Sequence, residues 1–232
     1  SAGIEYILVI ITHSKSSIER LLAEDKSSSD GVFFVHQPIR PDLPYGLGYA
    51  VGLSEGFVGD EPFLVCLGDC IMKSDDSDPL LERMIHVHEV CNATVTIAFE
   101  EVPSSDVDRY GIARPRSDHT SAAEFRLDDI IEKPSPGSAP SNLAVAARYI
   151  LEPEIFPYIR QTPPGAGGEL QLTDAIRSLL KDDRPVWGVK LSEDEVRYDI
   201  GGFAGYFRAF FDFSLADGDL GEEFGRYARG RI

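Results

Sequence analysis

Through the first half of the chain, short apolar runs of β type alternate with segments of helical spacing, and few folds accommodate that alternation. Strand, helix, strand in repeating order is the signature of βαβ units, which build a largely parallel sheet with helices on its faces. Tyr6 to Thr12 is a continuous apolar run rich in Ile and Val, so it predicts a strand buried on both faces inside a sheet. Ser17 to Ala23 sets Ile18, Leu21 and Leu22 opposite Glu19 and Arg20, the spacing of a short amphipathic helix, and Lys26 to Asp30 breaks it. Val32 to Val35 reads as the next strand, and a Pro-rich loop follows from Pro38 to Pro44. Gly46-Leu47-Gly48 opens a helix ending near Gly56, and Phe63 to Leu67 is another buried strand. Asp78-Pro79 reads as an N-cap with Pro in the first turn of a helix that runs to about Val90.

Beyond Asn92 the pattern becomes mixed. Thr94 to Phe99, Gly111 to Arg114, Glu124 to Glu132, Leu143 to Leu151 and Pro185 to Leu191 read as strands. Glu154 to Gln161 and Leu172 to Lys181 have helical spacing, and the aromatic-rich Phe203 to Phe213 reads as a largely buried helix. Asp219 to Ile232 is charged and reads as a surface helix or frayed tail. A chain of 232 residues fits one large domain, divided here into 1–92, a β-rich 93–213 and a C-terminal 214–232.

Charge narrows the partners. Lys and Arg number 22 against 39 Asp and Glu, a formal net charge of −17, which repels phosphate backbones and anionic membrane surfaces. A nucleic-acid-binding role is not expected. The longest apolar run, Tyr6 to Ile11, falls far short of the roughly 20 residues of a membrane span, and no signal-peptide pattern opens the chain. Cys66, Cys70 and Cys91 are odd in number and lie in apolar segments, as buried reduced thiols do. A soluble cytoplasmic protein is expected.

Several residues have the chemistry of a site. Leu64 to Asp69 is a buried strand ending on an acid, at the carboxyl edge where open α/β sheets bind ligands, and there a hard cation could be held. Capping of the turn accounts for Asp69 equally well. Asp199, in Tyr198-Asp199-Ile200-Gly201-Gly202, reads alone as a helix-capping residue; paired with Asp69 it could hold one Mg²⁺, which keeps several waters and takes other oxygens from phosphates. Ile131-Glu132-Lys133-Pro134 ends a strand with an acid and a base adjacent, a carboxylate suited to vicinal hydroxyls and an ammonium suited to phosphate, or simply a solvated strand end. Gly46 and Gly48 allow close backbone approach to a ligand without forming a dinucleotide fingerprint or a P-loop. His86-Val87-His88-Glu89 reads as a partly exposed helix face, and Asp75-Asp76-Ser77-Asp78 as turn formation, lacking the Gly and Glu of a calcium loop.

One ordered set of segments is more specific. It runs Glu132-Lys133-Pro134, Ala139 to Val145, Arg148-Tyr149-Ile150-Leu151 and Pro164 to Ile176, with Ala2-Gly3-Ile4, Gly46 to Val51, Gly59 to Phe63, Asp108 to Ile112 and Tyr198 to Gly201 in matching order. With these motifs the chain resembles the bacterial UTP-glucose-1-phosphate uridylyltransferases of the sugar nucleotidyltransferase family. The resemblance implies an α/β, Rossmann-like nucleotidyltransferase fold: a mixed, mostly parallel central sheet flanked by helices, with a smaller β-rich sugar-binding part. It implies that a sugar 1-phosphate oxygen attacks the α-phosphorus of UTP and releases pyrophosphate, so the implied partners are UTP, glucose 1-phosphate and UDP-glucose, with room for a homo-oligomer. By position it makes Asp69 and Asp199 the Mg²⁺ ligands and sets Lys133 on phosphate. Glu132, Gly111 and Val145 would line the sugar site, and Gln37, Gly46 and Gly48 would face the uracil.

The family's Gly-x-Gly-Thr-Arg and Pro-Lys patterns do not occur in the sequence. The resemblance therefore implies that the loop around the UTP phosphates is lacking and that turnover by this sequence is slow, with a UDP-sugar-binding or regulatory homologue as the alternative. It also implies that a central strand is lacking between those at Tyr6 to Thr12 and Phe63 to Leu67. Tyr45 replaces a family Lys and Ala147 a family Gly beside the sugar pocket. A related glycosyltransferase with Asp106-Val107-Asp108 as its metal motif is the remaining reading.

Overall fold

A computed structural model describes residues 3–12, 15–24, 31–38, 45–74, 79–117, 122–165 and 168–231. The acidic run Asp75 to Asp78, most of the loop from Pro38 to Pro44, and the break at Lys26 to Asp30 lie outside the described residues. The strands are β1 (Ile7–Ile11), β2 (Val32–His36), β3 (Phe63–Cys66), β4 (Cys70–Ser74), β5 (Val95–Glu101), β6 (Gly111–Pro115), β7 (Glu124–Glu132), β8 (Leu143–Leu151), β9 (Val186–Lys190) and β10 (Glu195–Asp199). The helices are α1 (Ser16–Glu24), α2 (Leu47–Gly52), α3 (Glu55–Val58), α4 (Leu80–Val90), α5 (Ile155–Gln161), α6 (Leu172–Lys181), α7 (Phe203–Ala216) and α8 (Gly221–Arg229).

Six strands form the main sheet in the order β3-β8-β5-β9-β7-β6. β3, β5, β9 and β6 share one direction, while β8 and β7 run against them. The sheet is thus mixed and predominantly co-directional, yet because β8 and β7 are interleaved, β5–β9 is the one directly parallel ladder within it. β8 can lie between β3 and β5 with both faces covered because Leu143-Ala-Val-Ala-Ala-Arg-Tyr-Ile-Leu151 is mostly apolar on both faces. Val145, Tyr149 and Leu151 pack with α5 and α6 on one side, and Ala146 and Ile150 pack with Leu80, Met84 and Val87 of α4 on the other. In α6 the buried residues Leu172, Thr173, Ala175, Ile176 and Leu179 follow the three- and four-residue spacing of one helical face.

Several expectations change: the helix expected from Leu47 to near Gly56 is two short helices, α2 and α3, and β3, expected to be buried, is only half-buried. β1, expected inside a sheet, pairs among the described residues only with β2, in parallel; Ile7 is 53% exposed and only Ile11 is buried, since one strand edge and part of one face meet no neighbour. α7, expected to be largely buried, buries only Ala209, with Phe203 82% exposed. Its sequence is apolar nearly all round, but it meets β10 along a narrow stripe, so most rings face outward. Cys66 is exposed at the end of β3, whereas Cys70 is buried. His88 is buried, 3.0 Å from Thr96 Oγ1 and 3.3 Å from Glu152 Oε1, while His86 is exposed.

The short strand β4 was not legible in the sequence. It pairs antiparallel with β10 as a separate two-stranded ribbon. At its far end Glu195, buried on β10, accepts the Leu80 N–H at 2.7 Å and an Arg83 hydrogen bond, capping α4 in place of a side chain at its N-cap residue, Pro79.

Candidate functional site

The ribbon delivers the two acids. β3 stops at Cys66, the chain turns through Leu67 to Asp69 with Cys70 N–H donating to Leu67 O at 3.2 Å, and β4 begins. Cys70 pairs in register with Asp199, and Ile200 N–H donates to Asp69 O at 2.8 Å. The carboxylates consequently converge: a Cβ on Gly201 would lie 3.2 Å from Asp69 Oδ2 and 3.2 Å from Asp199 Oδ1. The two oxygens are therefore no further apart than twice that distance. Gly201 N–H also donates to Asp199 Oδ1 at 3.1 Å.

Among the described residues no set of three or more His, Cys, Asp or Glu side chains gathers as a metal site. Two open carboxylates nevertheless fit Mg²⁺, which needs few protein oxygens and completes its octahedron with water and phosphate. Asp69 is exposed and Asp199 half-buried, so the remaining positions face outward. Burial pushes the Cys70 thiol up, Arg197 pulls against it, and Asp69 and Asp199 add to the rise. Cys70 is thus a neutral neighbour to the acid pair.

A second cluster forms where β6 and β7 pair, with Gly111 opposite Glu132. A Cβ on Gly111 would lie 3.1 Å from Thr173 Oγ1, 3.2 Å from Val145 Cγ2 and 3.3 Å from Glu132 Oε2, so glycine leaves the space these groups surround. Lys133, in the left-handed region at φ 44° and exposed, places Nζ 3.8 Å from Glu132 Oε1. Thr173 was not singled out from the sequence. It belongs to this cluster because α6 turns it beneath β6, a tertiary fact that residue spacing does not carry.

Both clusters abut β8. Val145 lies in the second, and Ala147 O, two residues on, accepts the Leu67 N–H at 3.3 Å beside the acid turn. Tyr149 is buried near both: burial first, then the Glu132 charge and Cys70, hold its hydroxyl well above the usual tyrosine range.

The remaining expected residues sit differently. Gly46, at φ 107°, and Gly48 make their close approach to Leu170: added Cβ atoms would meet Leu170 O at 2.6 Å and Leu170 Cδ2 at 2.2 Å. Backbone bonds of Gly48 N–H to Leu170 O, 2.9 Å, and Leu170 N–H to Tyr45 O, 2.5 Å, fix that contact. Gln37 lies at the carboxyl end of the β1–β2 pair, its N–H donating to Ile11 O at 2.7 Å. Asp106, Val107 and Asp108 enter a short 3-10 turn at Val107–Arg109 rather than a strand end, which does not favour a metal motif there.

An acid pair at the β4–β10 ribbon and a carboxylate–lysine pair at the end of β7, both bordering β8, belong to an α/β protein with a mixed central sheet. The chain belongs to the nucleotidyl transferase family, whose model matches residues 1–214. It is 34% identical to the UTP–glucose-1-phosphate uridylyltransferase of Staphylococcus epidermidis, over 96% of this chain and 80% of that protein. The Staphylococcus haemolyticus enzyme of the same name is 35% identical, with the same coverage of each chain. Among solved structures, UDP-glucose pyrophosphorylase complexed with UDP-glucose superposes with a TM-score of 0.82 at 30% identity, covering 93% of this chain and 83% of that one. UTP-bound UGPase from Acinetobacter baumannii gives 0.82 at 33% identity, covering 98% and 83%.

Proposed function

We propose that this chain carries the uridylyltransferase chemistry of its relatives: an oxygen of glucose 1-phosphate attacks the α-phosphorus of UTP, the bond from that phosphorus to the bridging oxygen breaks, and pyrophosphate leaves with the electron pair. The observation that carries the reading is the convergence of Asp69 and Asp199 on the space over Gly201. Mg²⁺ held there would neutralise phosphate charge, the main requirement of nucleotidyl transfer. Lys133 adds a fixed cation, which this acidic chain needs wherever a phosphate is to sit. Glu132 accepts hydrogen bonds from sugar hydroxyls, Thr173 and Val145 wall the pocket, and Gly111 keeps it open. Gln37, with the Gly46–Gly48 turn, is assigned to the uracil.

Calorimetric titration with UDP-glucose in the presence of Mg²⁺ tests the binding half. Glu132→Ala should weaken affinity by about 1.5 to 3 kcal/mol, the range for a hydrogen bond to a charged group. Equal affinity of wild type and variant would reject the sugar-site assignment. Pyrophosphate release from UTP and glucose 1-phosphate tests the chemical half, with Asp69→Asn expected to lower the rate by about 100-fold or more.

A further inference from the structure

The acid pair stands on a ribbon that is not part of the main sheet, so something must fix its position against the Glu132 pocket. Two arginines reach Cys70, the residue that follows Asp69 and faces Asp199 in the ribbon register. Arg148, half-buried on β8, donates from Nη2 to Cys70 O at 2.8 Å and from Nη1 to Ala147 O at 2.9 Å. Ala147 O is the carbonyl that also holds Leu67 N–H, so one guanidinium spans the turn carrying Asp69. Ala147 adopts φ 59°, a left-handed conformation uncommon for a residue with a side chain, within an irregular stretch of β8.

Arg197 comes from the other side, two residues before Asp199. Its Nη1 lies 3.6 Å from Cys70 Sγ, its Nε donates to Glu100 Oε1 of β5 at 2.5 Å, and its guanidinium lies 5.0 Å from the centre of the Tyr110 ring, next to Gly111. Its side chain is 7% exposed. Burial opposes its charge, yet the Glu100 carboxylate, Tyr110 and Cys70 hold it cationic. A buried ion pair is a weak source of stability, and geometry is its better-attested service. Each arginine thus grips Cys70 with one end and the main sheet with the other.

We propose that Arg148 and Arg197 are positioning residues that clamp Cys70 and so hold the Asp69–Asp199 pair in register with the sugar pocket. The inference rests on the metal-site reading above. Groups that orient metal ligands commonly contribute about 10- to 100-fold in metal affinity, and the two arginines would act on the acids through Cys70. The test is Mn²⁺ titration of the full chain followed by electron paramagnetic resonance, alongside UDP-glucose titration in EDTA and thermal unfolding. Arg148→Met should weaken Mn²⁺ binding about 10-fold or more, while metal-free UDP-glucose affinity stays within about twofold. Arg148→Lys, which keeps charge but cannot fork between two carbonyls, should fall between Arg148→Met and wild type. Arg197→Lys should show the same selective loss of Mn²⁺ and supplies a second, independent arm if Arg148→Met unfolds. Mn²⁺ affinity equal to wild type in folded Arg148→Met and Arg197→Lys overturns the clamp, as does an equal loss of Mn²⁺ and UDP-glucose affinity, the pattern of general destabilisation. If wild type and Asp69→Asn bind Mn²⁺ alike, the metal-site reading itself fails, and the clamp with it.

Discussion

Single atoms decide the site at two positions. Gly201 has no side chain where Asp69 and Asp199 meet, and the added Cβ of Gly201→Ala would press on both carboxylates at 3.2 Å, tighter than ordinary van der Waals contact. The backbone there is not left-handed, so alanine fits the local chain and the disturbance falls on the acids. Gly201→Ala should therefore weaken Mn²⁺ binding several-fold with an unfolding midpoint close to wild type; unchanged affinity would show that the acids do not share the ion. Ala147 is the converse, a side chain where glycine would be easier. A left-handed L-residue costs roughly 1 to 2 kcal/mol, and glycine's greater unfolded-chain entropy takes back part of that. Ala147→Gly should be neutral or stabilising by up to about 1 kcal/mol in urea titration. Marked destabilisation would mean that the methyl group is needed for packing against the site wall. Asp69 was legible as a candidate because an apolar run ending on an acid marks a sheet edge, and Glu132 and Lys133 by the same logic. Thr173, Arg148 and Arg197 were not, because their partners Gly111, Cys70 and Glu100 lie far along the chain and meet only after the sheet has formed.

Elements were legible in proportion to the strength of their pattern. β7, β8 and α6 occupy the residues expected, since the apolar–polar alternation that opens β7, the nearly continuous apolar run of β8 and a clean helical stripe leave little alternative. β4 was missed because Cys-Ile-Met-Lys-Ser is short and its pairing is set by β10, far along the chain. The sequence of α7 marks it as a helix, but apolar composition says only that a helix can be covered, not what covers it. That difference is measurable. Phe207 is 62% exposed, so Phe207→Ser should change stability by no more than about 0.5 kcal/mol, whereas Ala209, at 4%, has no room, and Ala209→Leu should cost about 1 to 3 kcal/mol. Comparable urea midpoints for the two variants would contradict this orientation of the helix. After α7, Asp217 accepts the N–H groups of Asp219, 3.0 Å, and Leu220, 2.8 Å, and those bonds hold its carboxyl below the usual range. A depressed pKa stabilises the fold above the ordinary carboxylate range and loses that contribution as pH falls through the lowered value. Amide exchange at Leu220 should accelerate, beyond its intrinsic pH dependence, as the pH drops below about 4 in wild type, and Asp217→Asn should flatten the dependence.

For the molecule as a whole, the net charge of −17 sets how an anionic ligand arrives. UTP and UDP-glucose carry negative phosphates, so the long-range field of this chain opposes their approach, while on the proposed assignment Lys133 and a divalent cation at the acid pair would favour them at short range. The two contributions respond differently to salt. Repulsion acts over distances beyond the roughly 8 Å Debye length of physiological ionic strength and is screened first; contacts at the site are screened much less. The association rate of UDP-glucose at saturating Mg²⁺ should therefore rise as salt increases from about 10 to 150 mM, a range over which the Debye length shrinks from roughly 30 to 8 Å. The dissociation rate should change little over the same range. Stopped-flow binding resolves the two rates, and potassium chloride is suitable because K⁺ does not replace Mg²⁺ at two carboxylates. An association rate that instead falls with salt would mean that the ligand meets a net positive field, so that Lys133 and the cation outweigh the rest of the surface even at a distance. In that case the acidity of the chain would have no bearing on how it recruits its substrate.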